Sequence, residues 1–318
     1  MIRVLPPLAA FLFFALAPFA APRPALSADA PAYMAIGDSL AFGVGAQNPA
    51  AEGYVALTAT ELESHELFAE AGLEMINLSE PGATSGDLLE PDGQLDQALA
   101  EIAARQEPQE TNDAVEIISI DVGGNDLLSL VETGLPCFED PGGGPCRTAV
   151  NAMLSDLQGN LTLLLTELRQ AAPAADIYVI DLYNPYSGTG EPLEVVASLG
   201  VQMVNGVIAS VAANPEFGAR FVSVYDLFQG RGQQWVAPDG IHPNNDGHRV
   251  LSAALTAAIF GRDIVLPSDI ATPPPPVVDS SDNSGSDVGL TVFVASLAVA
   301  FAAGGFVSAA YFLVRGRR

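Results

Sequence analysis

Five short runs rich in isoleucine and valine, separated by longer stretches of helical periodicity, limit what this chain can fold into. The runs are Tyr33 to Ile36, Met75 to Leu78, Ala114 to Ile120, Ile177 to Leu182 and Phe221 to Tyr225. Helical patterns cover Tyr54 to Glu63, Leu88 to Arg105, Thr148 to Gln170, Leu193 to Ala213 and Asn245 to Phe260. In the third of these, Val150, Met153, Leu154, Leu157, Leu161, Leu164 and Leu165 recur at helical spacing. Strands that are apolar throughout, joined by helices, need right-handed crossovers and a parallel sheet covered on both faces. The expected fold class is therefore α/β, with a five-stranded parallel sheet between helical layers, over residues 33–266.

Both ends of the chain differ from this middle. Arg3, an apolar run from Leu8 to Ala17, and then small residues and prolines read as a secretory signal peptide over residues 1–28. Residues 267–287 read as a linker, with four prolines from Pro273 to Pro276 and then a Ser/Asp/Asn/Gly stretch. Val288 to Val314 carries no charge, and it exceeds the roughly 20 apolar residues that cross a bilayer. The basic tail, residues 315–318, follows at once, which predicts a C-terminal transmembrane helix with the bulk of the chain outside. Leu266-Pro267-Ser268-Asp269 before this apolar segment loosely resembles a sortase sorting signal, but the Thr-Gly of that motif is missing.

The formal net charge is −26, and every basic residue is arginine. Such a surface repels phosphate backbones, so nucleic acid is not an expected partner. The two cysteines, Cys137 and Cys146, bracket Phe-Glu-Asp-Pro-Gly-Gly-Gly-Pro. In an exported protein this even pair reads as a disulfide closing a loop, and nothing nearby completes a metal site.

Four segments, most of them just after a strand, carry residues suited to acyl transfer. The first is Gly37-Asp38-Ser39-Leu40, where a strand stops at a serine. A serine is not a nucleophile at neutral pH without a base and an oxyanion site. The last is Asp239-Gly240-Ile241-His242-Pro243-Asn244. Three residues apart on a turn-rich loop, the Asp239 carboxylate can hold the His242 ring in one tautomer, and His242 can then serve Ser39 as base. Between them lie Glu80-Pro81-Gly82-Ala83 and Asp121-Val122-Gly123-Gly124-Asn125-Asp126. These offer the Gly82 backbone N–H and the Asn125 amide as oxyanion donors, with the Ser39 N–H as a third. His248 and His65 read as bystanders.

Together and in this order, the four segments resemble the blocks of the SGNH, or GDSL-type, lipases and esterases over about Tyr33 to Phe260. The resemblance implies Ser39 as nucleophile, His242 as base, Asp239 as its partner, and Ser39, Gly82 and Asn125 as the oxyanion hole. It implies a flavodoxin-like three-layer α/β/α sandwich, in which the first and third strands are neighbours. It also implies a small-molecule or lipid ester as substrate, with no cofactor and no metal. Lipids, thioesters and O-acetylated carbohydrates all occur as substrates in the family. A non-catalytic binding module on the same fold is expected to show a broken triad, and here all of its residues are present. Tyr183, Tyr186 and Trp235 suit either a substrate subsite or the core.

Overall fold

A computed structural model describes residues 30–270, apart from 67, 107–113, 132–136, 138, 139, 141 and 142. The expected signal peptide, most of the linker, the transmembrane segment and the basic tail lie outside the described residues. The elements in chain order are β1 (Ala32–Gly37), α1 (Ser39–Phe42), α2 (Pro49–Glu52), α3 (Tyr54–Ser64), β2 (Glu74–Asn77), α4 (Gln94–Arg105), β3 (Val115–Asp121), α5 (Gly124–Leu128), α6 (Gly144–Ala171), β4 (Asp176–Ile180), α7 (Pro192–Ala212), β5 (Ala219–Val222), α8 (Gly232–Trp235) and α9 (Asn245–Phe260). The strands form one parallel sheet in the order β2-β1-β3-β4-β5.

Period-two alternation along the buried strands builds two cores. Met34, Ile36, Ile118, Ile120, Ile177 and Val179 face one way, against α4, α6 and α7. Tyr33, Ala35, Ile117, Tyr178, Ile180 and Val222 face the other way, against α3 and α9. The result is the expected three-layer sandwich. Packing rather than capping holds α6. Its N-cap, Gly143, makes no side-chain cap, whereas Leu157, Leu161, Leu164, Leu165 and Leu168 are buried. Truncating any one of those leucines to alanine costs about 2–5 kcal/mol, more than any cap is worth.

The boundaries differ from expectation where local chemistry intervenes. The pattern from Leu88 to Arg105 breaks, because Pro91-Asp92-Gly93 interrupts it with Asp92 at φ 61°, and α4 begins only at Gln94. β5 lies earlier than Phe221 to Tyr225, because the Asp181 carboxylate takes the Val224 and Tyr225 N–H groups at 2.6 and 3.1 Å. The globular part extends past residue 266: Ile270 is buried among α3 and α9 residues, and Asp269 pairs with Arg249. Trp235 is core, stacked edge-on to Phe228 and 1% exposed. Asn77 and Asn160, each opening an Asn-x-Ser/Thr triplet, have their amide nitrogens committed, donating to the Ala41 carbonyl and to Ser85 Oγ.

His248 is no surface bystander. It is buried on α9, where Nε2 donates to the Val44 carbonyl at 3.0 Å and Nδ1 accepts the Tyr54 N–H at 3.3 Å, capping α3. Burial pushes its pKa down to about 4. His65 ends α3 and stacks on Phe260.

Two outcomes follow from this packing. A Cβ at Gly37 would stand 2.4 Å from the Asp121 carbonyl oxygen and 2.5 Å from its Oδ1. Gly37→Ala should therefore lower stability by roughly 1–3 kcal/mol in urea titration, as overpacking does. His248 has a native pKa below its unfolded value, so its contribution is complete above about pH 6.5 and lost as pH falls through about 4. Urea titrations of the wild type and His248→Gln between pH 7 and 4 should converge by about 3 kcal/mol. Parallel curves would remove His248 as the source.

Candidate active site

Everything the site needs sits at the carboxyl edge of the sheet, where adjacent strands end. β1 stops because the buried Gln94 amide clamps Gly37, accepting from its N–H and donating to its carbonyl, both at 2.8 Å. Asp38 then caps α1: its Oδ1 accepts the Leu40 N–H at 2.9 Å, and its own N–H donates to Asp121 Oδ1 at 3.1 Å. Ser39 is thereby fixed at the first position of a helical turn.

The base arrives from a loop more than 200 residues later. His242 Nε2 lies 2.9 Å from Ser39 Oγ, and Nδ1 lies 2.7 Å from Asp239 Oδ2. An ionised carboxylate only accepts, so Nδ1 carries the ring proton and Nε2 is left to accept from Ser39. Asp239 Oδ1 takes the N–H groups of Ile241 and His242, both at 3.0 Å, which shapes the turn. Burial alone would raise the Asp239 carboxyl. The hydrogen bond from His242 and the two backbone N–H groups outweigh that and hold its pKa at about 2. The loop is anchored from outside as well. Tyr183 Oη donates to the Ile241 carbonyl at 2.6 Å, and Gly45 lets the loop after α1 lie against His242 and Pro243.

The expected oxyanion donors converge on the same place. Gly82 has φ 85°, a conformation glycine adopts at no steric cost. A Cβ there would meet nothing within 4 Å, so its conformation, rather than a tight approach, demands the glycine. Asn125 Nδ2 donates to the Ala83 carbonyl at 2.9 Å and, at a longer 3.3 Å, to Asp38 Oδ2. Asp126 accepts the N–H and hydroxyl of Ser85, which ties the Gly82 loop to α5. All five expected side chains and backbone donors thus line one cavity. Sequence reading missed the holding roles of Gln94, Ser85, Asp126 and Tyr183; Asp126 stands in one of the four segments and Tyr183 among the candidate subsite or core residues, but the partner of each lies far away in the chain.

Burial pushes both Asp38 and Asp121 carboxyls above the ordinary range. At Asp38 repulsion from Asp121 and Asp126 adds to burial, while at Asp121 the donors Tyr54 and the Asp38 N–H work against it. Of the carboxyls around Ser39, Asp239 is the one held firmly ionised.

The cavity holds about 550 Å³ and runs from Ser39 between α5 and α7. Its lining is apolar away from the triad: Leu127, Leu130, Val150, Val196, Leu199 and Met203 contribute. Cys137 and Cys146 are joined by a disulfide and form part of its wall. Tyr183 and Tyr186 line it too. Among the described residues no group of acidic, histidine or cysteine side chains has the arrangement of a metal site.

Residues 35–250 match the model of the GDSL-like Lipase/Acylhydrolase family. The spore germination lipase LipC of Bacillus licheniformis is 25% identical over 236 residues, spanning 72% of this chain and 97% of the relative. Among solved structures, a lipase from a goat rumen metagenome superposes with a TM-score of 0.54 at 23% identity, covering 72% of this chain and 97% of that one. An extracellular lipase from Streptomyces rimosus gives 0.51 at 21%, covering 74% and 100%.

The geometry carries a pH expectation. The carboxyl carbon resonance of Asp239 should titrate near pH 2 rather than near 3.8. The stability this pairing adds is complete above about 3.8 and fades as pH falls toward 2. A midpoint at 3.8 or higher in a carbon-13 NMR titration would show that the pair does not form.

Proposed function

The chain belongs to the GDSL-like Lipase/Acylhydrolase family and is a serine carboxylic-ester hydrolase, and we propose that Ser39, His242 and Asp239 are its catalytic triad. The observation that carries the assignment is the unbroken hydrogen-bonded line from Asp239 through His242 to Ser39, at 2.7 and 2.9 Å.

His242 Nε2 takes the Ser39 proton as Oγ attacks the acyl carbonyl carbon. The carbonyl π electrons move onto oxygen, which is held by the N–H groups of Ser39 and Gly82 and by the Asn125 amide. The Asn125 N–H directed at Asp38 over a long 3.3 Å is the one left to be shared with the oxyanion, since the other is engaged by the Ala83 carbonyl at 2.9 Å. Collapse breaks the ester C–O bond, and His242 protonates the departing alkoxide. Water then attacks the acyl-enzyme, giving its proton to His242, and the acid leaves as Ser39 recovers its own. Asp239 stays ionised throughout and steadies the imidazolium.

The apolar cavity favours an ester whose acyl part is an aliphatic chain over an acetylated sugar, because a cavity lined by leucine, valine and methionine offers a sugar few partners. The leader at residues 1–28, the linker and the charge-free segment at 288–314 support export and anchoring by a single C-terminal helix, with the catalytic domain outside.

Ser39→Ala should abolish p-nitrophenyl acetate hydrolysis and fluorophosphonate labelling while far-UV circular dichroism stays unchanged. Asn125→Ala should lower kcat by about 10²–10³. Turnover retained in the serine variant sinks the triad.

A further inference from the structure

Helix α7 has an outer face that the sandwich leaves open. Its inner face, with Leu193, Val201, Val204, Ile208 and Val211, is buried in the core. The outer face repeats at helical spacing through Val195, Leu199, Gln202, Met203, Gly206 and Ser210, all exposed. Single exposed apolar side chains are ordinary on a protein surface. Here Val195, Leu199 and Met203 stand on consecutive turns, 61%, 60% and 42% exposed. From Val195 to Ala212 the helix bears no charge, in a chain of net charge −26. Its one acid, Glu194, turns back to accept the N–H groups of Gly188 and Gly190. Among the described residues this is the one helix long and apolar enough to cross a membrane, but its inner face is committed to the core.

The second observation is continuity with the cavity. Leu199 and Met203 are exposed and also line it, as does Phe42, 45% exposed, from the turn that carries Ser39. Leu199 and Met203 thus belong both to the outer face of α7 and to the cavity that holds Ser39.

We propose that the outer face of α7 docks on an electrically neutral lipid layer, from which an acyl chain passes over Leu199 and Met203 to Ser39. The inference rests on the acyl-ester reading above. Charge selects the lipid: a strongly acidic domain is repelled by anionic headgroups, while an uncharged face meets zwitterionic ones without that cost. A helix lying in the interface with its apolar face inserted is the usual way a protein sits on a bilayer. The chain beyond the domain points to the same occupant. Residues 271–287, fully extended, reach at most about 60 Å, and they lead to the charge-free segment at 288–314. A domain held at that range meets the bilayer at high effective concentration.

The test uses the full-length chain. Both native cysteines are in the disulfide, so Val195→Cys accepts an environment-sensitive fluorophore at one position. Adding phosphatidylcholine vesicles should shift its emission to the blue. In parallel, Val195→Asp should hydrolyse p-nitrophenyl palmitate carried in those vesicles roughly tenfold more slowly, the scale of losing one buried aliphatic contact at an interface. Its hydrolysis of soluble p-nitrophenyl acetate should not change. No shift, or undiminished vesicle hydrolysis by Val195→Asp, overturns the docking face. A shift that appears without vesicles and grows with protein concentration makes a second copy the occupant, and also overturns it. A wild type inactive on both esters removes the acyl-ester reading itself; activity on the soluble ester with no shift removes only the docking.

Discussion

The absence of a side chain at Gly37 is the constraint on which the site depends. It lets the end of β1 close onto Asp121 at the end of β3, at a distance no Cβ tolerates. Only that closeness allows the Asp38 N–H to reach Asp121 and the Asn125 amide to reach Asp38. The strand order makes it possible, because β2 is carried to the sheet edge and β1 is left beside β3. Gln94 holds the arrangement by pairing with both backbone groups of Gly37, whose carbonyl also accepts the Glu80 N–H at 3.1 Å. One missing methyl group thus sets where Ser39 and the Asn125 amide stand relative to each other.

Much of this was legible in the sequence, and the parts that were not share a cause. Strand count, helix count on the long elements, and the four segments carrying Ser39, Gly82, Asn125 and His242 all leave local marks: periodicity, Gly-rich stops and the Asp-His spacing. Asn245–Phe260 was readable to the residue because an Asn cap and a closing Gly261 frame it. The end of β5 was not, since the Asp181 carboxylate from the neighbouring strand's end captures two N–H groups that an isolated reading assigns to the ladder. His248 misled for the same reason. Nothing beside it in the chain reveals that Tyr54 and Val44, roughly two hundred residues earlier, supply its partners.

The site also shows how one acidic protein gives its carboxyls different duties. Asp38 and Asp121 lie deep, where burial disfavours their charged forms, with repulsion from Asp121 adding to it at Asp38, and they act as hydrogen-bonding struts. Asp239 sits nearer the surface, supplied with three donors, and keeps its charge. The two buried or half-buried histidines divide in the same manner. His248 is locked between two backbone groups and held neutral, whereas His242 has one nitrogen tied to a carboxylate and the other turned to the serine.

Asp239 and His242 share a single turn of four residues, and the turn's own N–H groups shape it. Their pairing is therefore a short-range event that asks little of the distant chain and forms with low loop-closure entropy. The contact from His242 to Ser39 spans 203 positions and exists only when sheet, helices and loops are all assembled. Any opening that carries the 239–242 turn away from α1 therefore separates His242 from Ser39 while leaving the turn's own hydrogen bonds in place.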